Sequence, residues 1–304
     1  MELRYLRYFV AVAEELHFGR AAARLGISQP PLSQQIRSLE AELETPLFLR
    51  TNRRVELTDA GALFLAEARE ILQRTERASR RVTRLGRGET GQLRIGFTTS
   101  VPLTATLPRA LMGYRQRFPE VDLRMHELNS QRQITPLLEN ELDIGIMRPA
   151  TLPEALEAFT LIREPLVAVV NAQDALAREE TPLSLEALAN QPFVYFSPAA
   201  GTGLLEQFQV LFARRGLTPN VVQEVGGPNT IISLVASGLG VSLLPASFRH
   251  IQIDNVRYLP LSDADAVSEV WLTHARRQLS PQATNFIEQV QSVIAGSDAL
   301  DPRP

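Results

Sequence analysis

Apolar residues recur at helical spacing from the first turn of the chain. Leu3, Leu6, Phe9, Val10, Ala13 and Leu16 share one face, which predicts an amphipathic helix. A short helix follows over about 18–25. Ala21, Ala22 and Ala23 keep it thin, and Gly26 ends it, since glycine accepts the left-handed conformation beyond a helix. Ser28 is placed to cap a third helix, with Pro30 and Pro31 in a first turn where missing N–H groups cost little. Leu32, Ile36, Leu39 and Leu43 form its apolar face. Pro30, Gln34 and Arg37 point the opposite way, with Ser33 on the flank. Residues 46–58 (PLFLRTNRRVELT) then alternate. Leu47 and Phe48 turn inward, Arg50, Arg53 and Arg54 outward, and Val55 and Leu57 inward again, which predicts a basic hairpin.

Thr58 and Asp59 open a further helix that runs to about Leu85. Phe64, Ala68, Ile71, Thr75, Ala78, Val82 and Leu85 follow one another at alternating spacings of four and three, a heptad seam. The seam can pack on its own domain or on a second copy. Charged flanks (Arg69, Glu70, Arg74, Glu76, Arg77, Arg80, Arg81) favour the second copy, and Thr75 weakens the seam. Glycines 86, 88 and 91 then break the helix into a hinge.

Beyond the hinge, strand-like LRIGF (93–97) leads through Thr98, Thr99 and Ser100 to a helix toward Phe118. VDLRMHEL (121–128) leads through Asn129 and Ser130 to a helix ending near Asn140, and LDIGIM (142–147) is a third strand. Strands alternating with helices predict a parallel sheet with crossover helices. A second lobe follows, with strands at 166–170, 193–196 and 241–245 and helices at 204–214 and 231–237. In such sheets ligands bind beyond the carboxyl ends of the strands. Those ends carry the hydroxyl and amide clusters at 98–100 and 129–130, each expected at a helix N-terminus that would attract a carboxylate. Capping alone accounts equally well for either cluster; their occurrence at equivalent positions favours an anion site.

Charge sharpens this division. The chain of 304 residues carries −3 overall, but residues 1–90 hold 15 Arg against 12 acids while residues 91–304 hold 16 against 22. A basic head on an acidic body suits a protein whose head alone meets phosphate. Helix, tight turn, helix and a basic wing within sixty residues is the arrangement that seats a recognition helix in the major groove. Taken singly, the polar face and the wing arginines also read as ordinary solvated surface; their ordered combination favours DNA.

The chain has no cysteine and no lysine, which excludes thiolate metal sites, cysteine nucleophiles, Schiff-base lysines and Walker-type lysines. The histidines (17, 126, 250 and 274) have no metal-ligand spacing, and Gly201-Thr202-Gly203 lacks the third glycine of a phosphate turn. No enzyme activity and no cofactor are therefore expected. A solute-binding protein is the other rival for the body. It is opposed by the basic head and by an amino terminus without a signal-peptide core. No apolar run approaches the ~18 residues of a membrane span, so a cytoplasmic location without membrane contact is expected.

The sequence resembles the LysR-type transcriptional regulators. The resemblance is carried by Leu6–Glu14, Ala21–Leu25, Ser28–Ile36, Leu39-Glu40, Leu43, Pro46–Phe48, Arg50 and Leu57–Gly61. It continues through Leu93–Gly96, Leu142–Ile146 and Val235–Pro245, so it spans nearly the whole chain. Glu44-Thr45 departs from a family pattern that often has glycine. Within the family, QPPLS and the body are most similar to regulators of aromatic-compound catabolism that respond to muconate or benzoate-like acids.

This resemblance implies a winged helix-turn-helix over 1–58, a dimerising linker helix and hinge over 59–91, and an α/β effector domain over 92–304. The last is built like the two-lobed periplasmic binding proteins, with lobe I at about 92–165 and 268–304 and lobe II at about 166–267. Ser28, Gln29, Pro30, Pro31, Ser33, Gln34, Arg37, Arg50, Arg53 and Arg54 are the expected contacts to double-stranded promoter DNA. Thr99, Ser100, Asn129, Ser130, Arg148, Phe196, Gly227 and Pro228 are the expected effector contacts, Ser100 and Ser130 at the carboxylate and Arg148 adding charge. The implied partners are a small carboxylate effector, RNA polymerase and further copies of the chain, as a homodimer assembling to a homotetramer.

Overall fold

The computed structural model describes residues 1–50 and 54–298. The chain divides into two compact units, Met1–Leu85 and the remainder from Gly86 onward.

In the first unit α1 (Leu3–Glu15), α2 (Phe18–Arg24) and α3 (Gln29–Glu42) pack around one core. A hairpin of β1 (Phe48–Arg50) and β2 (Val55–Leu57) and the long α4 (Asp59–Gly86) complete it. Leu6, Phe9, Val12, Leu32, Ile36 and Leu39 are buried together, while Leu3 and Leu16 at the two ends of the predicted α1 stripe are exposed. The Phe9 ring lies 5.3 Å from that of Phe48 and 5.0 Å from that of Phe64, so one side chain ties α1 to the hairpin and to α4. His17, which the sequence does not mark, caps α2. Its Nδ1 accepts from the backbone N–H of Gly19 at 3.1 Å and of Arg20 at 3.2 Å.

Two positions explain glycine usage in this unit. Gly61 lies where a Cβ would come 2.1 Å from the Leu47 carbonyl, so only glycine lets α4 approach the hairpin. Glu44 holds a positive φ of 50°, the left-handed conformation that glycine adopts without a Cβ penalty.

The heptad seam of α4 is divided. Phe64 and Ile71 pack on the head's own core and Ala68 is buried in it, whereas Ala78 is exposed and Val82 and Leu85 are 72% and 52% exposed. The first half of the predicted seam is therefore an intradomain contact, and the second half is an uncovered apolar stripe.

The second unit starts with β3 (Thr90–Phe97), α5 (Thr106–Arg117), β4 (Glu120–Glu127), α6 (Ser130–Leu138) and β5 (Ile144–Met147). It continues with β6 (Leu156–Asn171), α7 (Leu185–Ala189), β7 (Pro192–Phe196), α8 (Gly203–Ala213), β8 (Asn220–Val225) and α9 (Pro228–Ala236). β9 (Ser242–Pro245), β10 (Val256–Pro260), β11 (Val267–Ala275) and α10 (Pro281–Asp298) complete it. The sheet is mixed rather than parallel throughout. β3 pairs parallel with β4 and β5, but β11 runs antiparallel to β5 and β6, and β6 antiparallel to β9 and β10. The predicted strand at 166–170 is the second half of a 16-residue strand. β6 pairs with β11 as far as Pro165 and with β9 and β10 from there on, so one strand serves both lobes.

Each lobe has its own core. Leu93, Ile95, Tyr114, Val270 and Phe286 belong to one; Val169, Phe193, Phe208, Phe212 and Ile232 belong to the other. The glycines of LRIGF and LDIGI, Gly96 and Gly145, face each other across β3 and β5. A Cβ at either would lie 2.9 or 2.8 Å from the Gln133 amide oxygen, so the paired glycines make the trough in which α6 sits. Among the described residues no helix is long and apolar enough to cross a membrane.

Candidate DNA-reading surface and ligand cleft

α3 buries Leu32, Ile36 and Leu39 and leaves Gln29, Pro30, Pro31, Gln34 and Arg37 exposed, with Ser33 half-buried. Ser28 stands at the N-cap in extended conformation, yet its side chain makes no cap bond. The reason is chemical. A cap side chain bonds the N–H of the second or third helical residue, and those residues are Pro30 and Pro31, which have none. The expected Ser28 cap is thus replaced by an exposed hydroxyl at the positive end of a helix.

Charge on this unit is unevenly compensated. Arg24 and Arg69 reach Glu14 at 2.9 and 2.8 Å, and their guanidinium groups hold the Glu14 carboxyl below its usual range. Arg37 makes no ion pair among the described residues. Arg54 is exposed, with Glu56 4.0 Å away. Arg53 lies outside the described residues, as does the side chain of Arg50. α3 is locked to the hairpin by Glu40, whose Oε1 accepts from the N–H of Leu47 at 3.0 Å and of Phe48 at 3.2 Å. Thr58 donates to the Pro46 carbonyl and accepts from Gly61 N–H, both at 2.9 Å. The outward face of α3 and the base of the hairpin therefore form one rigid platform.

In the second unit the strand ends converge as the topology requires. Thr98, Ser100 and Ser130 are buried, and the Ser130 hydroxyl has no hydrogen-bond partner among the described residues. Leaving a buried hydroxyl unsatisfied costs about 1–3 kcal/mol. The first cluster leads not into an α-helix but into a 3-10 turn, Val101–Leu103, with α5 starting only at Thr106. That turn places Val101 in the core of the first lobe and Leu103 against the core of the second. Thr99 is exposed and donates to Glu127 Oε1 at 2.9 Å, so a carboxylate already occupies its surroundings. Phe196 is buried in the second lobe, 6.2 Å from the Phe208 ring. Gly227 and Pro228 form the half-buried start of α9.

Two further expected effector contacts are committed elsewhere. Asn129 caps α6 and donates to the Ala200 carbonyl. Arg148 is 1% exposed and bonded on every side. Nε donates to Ser100 Oγ at 3.1 Å, Nη1 to Ser268 Oγ at 3.0 Å, and Nη2 pairs with Glu164 Oε1 at 2.8 Å. Burial pulls its pKa down while the Glu164 charge acts in the opposite sense. Glu164 also accepts from the N–H of Ser247 at 2.7 Å, and Ser268 donates to Gln207 at 2.7 Å. Arg148 therefore brings no uncompensated charge to the cleft; what it supplies is an oriented Ser100, whose oxygen accepts from Nε and lies 3.4 Å from Thr98 Oγ1. Glu164, Ser247, Ser268 and Gln207 carry no sequence signal, because each matters only through a partner distant in the chain.

Comparison with known proteins bears on both units. Residues 3–62 match the family described as bacterial regulatory helix-turn-helix protein, lysR family, and residues 86–295 match the LysR substrate binding domain. The chain is 50% identical over 287 residues to the HTH-type transcriptional regulator YnfL of Escherichia coli, covering 94% of this chain and 96% of that one. It is similar to the crystal structure of full-length CbnR complexed with its target DNA, with a TM-score of 0.78 and 26% identity, over 97% of this chain and all of that one. It is also similar to the BenM effector binding domain with its effector benzoate, with a TM-score of 0.63 and 27% identity, over 70% of this chain and 96% of that one. Two matched models covering nearly the whole chain and a half-identical regulator leave one assignment: this protein belongs to the LysR family of DNA-binding transcriptional regulators, and is not an enzyme.

Proposed function

We propose that the protein regulates promoters in the cytoplasm in response to a small carboxylate held between the lobes of its second unit. The observation that carries the ligand reading is Ser130, a fully buried hydroxyl at the N-terminus of α6 without a partner among the described residues. A carboxylate there would accept from Ser130, from Ser100 and from the positive end of the helix. Phe196 and the Gly227-Pro228 turn would face the body of the ligand. An aromatic or muconate-like acid is the class we favour, and the similarity to BenM with benzoate supports it.

On the DNA side, Gln29, Ser33, Gln34 and Arg37 would face base edges. Ser28, with no cap bond to make, and the arginines at 50, 53 and 54 would face phosphates and the minor groove. Pro30 and Pro31 would shape the approach of the helix end. The uncovered stripe Ala78, Val82 and Leu85 would pair with its copy in a second chain. A two-fold dimer would then present two recognition helices to a two-fold site, and dimers would join as tetramers that meet RNA polymerase. The effector acts by binding one lobe arrangement better than the other.

Ser100→Ala combined with Ser130→Ala in the full chain tests the cleft by calorimetry, with benzoate and muconate as probes. Removing two hydrogen bonds to a charged group weakens binding about 100-fold, while DNA retention without ligand is unchanged. Affinity equal to the parent's would put the ligand elsewhere.

A further inference from the structure

Ser100 and Ser130 are 5% and 0% exposed, so a ligand reaches them only when something moves. The residues on either side of Ser130 identify what must move. Asn129 Oδ1 accepts from Arg132 N–H at 2.8 Å as the α6 cap, which leaves its Nδ2 to donate to the Ala200 carbonyl of the second lobe at 2.9 Å. Gln131 N–H points to the Gly201 carbonyl at 3.5 Å. Gly201 is left-handed (φ 60°), and a Cβ there would stand 2.7 Å from Asn129 Nδ2. A Cβ on Gly203 would stand 2.0 Å from the Pro149 carbonyl. The Gly201-Thr202-Gly203 run, unexplained as a phosphate turn, thus lets a loop of one lobe lie flat on the backbone of the other.

We infer that Asn129 and the loop at 198–203 form a clasp that closes the cleft over Ser130, with Asn129 a positioning residue and not a ligand contact. The clasp is suited to opening. Its bonds are between neutral groups, each shifting an equilibrium by only roughly two- to tenfold. Within the loop, Ala200 rests against the second-lobe core, so the loop stays with that lobe when the clasp parts. The role in admitting a ligand rests on the cleft proposed above; the clasp itself can be tested without one.

The test is amide hydrogen exchange on the full chain, unliganded, comparing the parent with Asn129→Asp and Gly201→Ala. Aspartate keeps the α6 cap, being among the best capping residues, but sets an acceptor against the Ala200 carbonyl. Alanine keeps Asn129 and pushes the loop away. Both variants should speed exchange at 130–132 and 198–204 roughly tenfold and leave the Val194 amide, bonded to Val241 inside the second lobe, at its parental rate. Exchange within twofold of the parent in both variants overturns the clasp, as does loosening that extends to Val194. Failure of benzoate and muconate to bind would remove the cleft and leave the clasp; unchanged exchange would remove the clasp and leave the cleft.

Discussion

Glu164→Ala should lower the melting temperature of the second unit by roughly 10 °C. The substitution leaves the Arg148 guanidinium buried without its counter-charge, and breaking one half of a buried pair costs about 3–5 kcal/mol. In a unit of this size each kcal/mol corresponds to roughly 2–4 °C. Glu164 also accepts from Ser247 in the second lobe, so the damage falls where β6 passes between lobes. Replacing both partners, Arg148→Met with Glu164→Leu, removes the orphaned charge and should recover more than half of the loss. Calorimetry of the three proteins checks this. A double variant as unstable as Glu164→Ala would show that packing, not charge, is at stake.

Phe9→Ala should abolish DNA retention near physiological temperature. Phe9 is fully buried at the junction of α1, β1 and α4, and truncating such a ring costs about 3–5 kcal/mol. A domain commonly holds only ~5–15 kcal/mol in total. The second unit has its own cores, so its melting transition should stay within the error of the parent. Scanning calorimetry beside gel retardation separates the two effects. Retention of DNA at parental affinity and temperature would mean that the platform under α3 does not depend on this ring.

The elements of the head were legible because each follows a local rule. The period of Leu32, Ile36 and Leu39 fixed the buried face of α3 and so its outward one. The misreadings have equally local causes. Ser28 has the identity of a cap, but the two prolines that mark the start of the helix also remove the N–H groups a cap needs. The heptad seam leaves own-domain and second-copy packing both open, because spacing does not reveal that the head covers Phe64, Ala68 and Ile71 and stops there.

In the second unit, Arg148 looked like a free charge because Glu164 lies sixteen residues away on a strand whose length periodicity did not show. Asn129 stands at the start of α6, as the sequence predicts, but its second bond, to Ala200, depends on how two lobes meet. The hydroxyl clusters at 98–100 and 129–130 are legible from the strand ends, since ligands bind beyond the carboxyl ends of parallel strands; within them, Ser100 and Ser130 are singled out by the family resemblance.

The reading of bases by α3 is tested most directly by selecting duplexes from a random pool with the full-length protein and with its Arg37→Ala variant, at one fixed salt concentration. The parent should enrich a two-fold-symmetric sequence. The variant should enrich the same sequence with one position per half-site relaxed, at ~1–3 kcal/mol for each lost base contact. No enriched sequence for the parent, or a variant that loses affinity for every duplex alike, would contradict base reading by this helix.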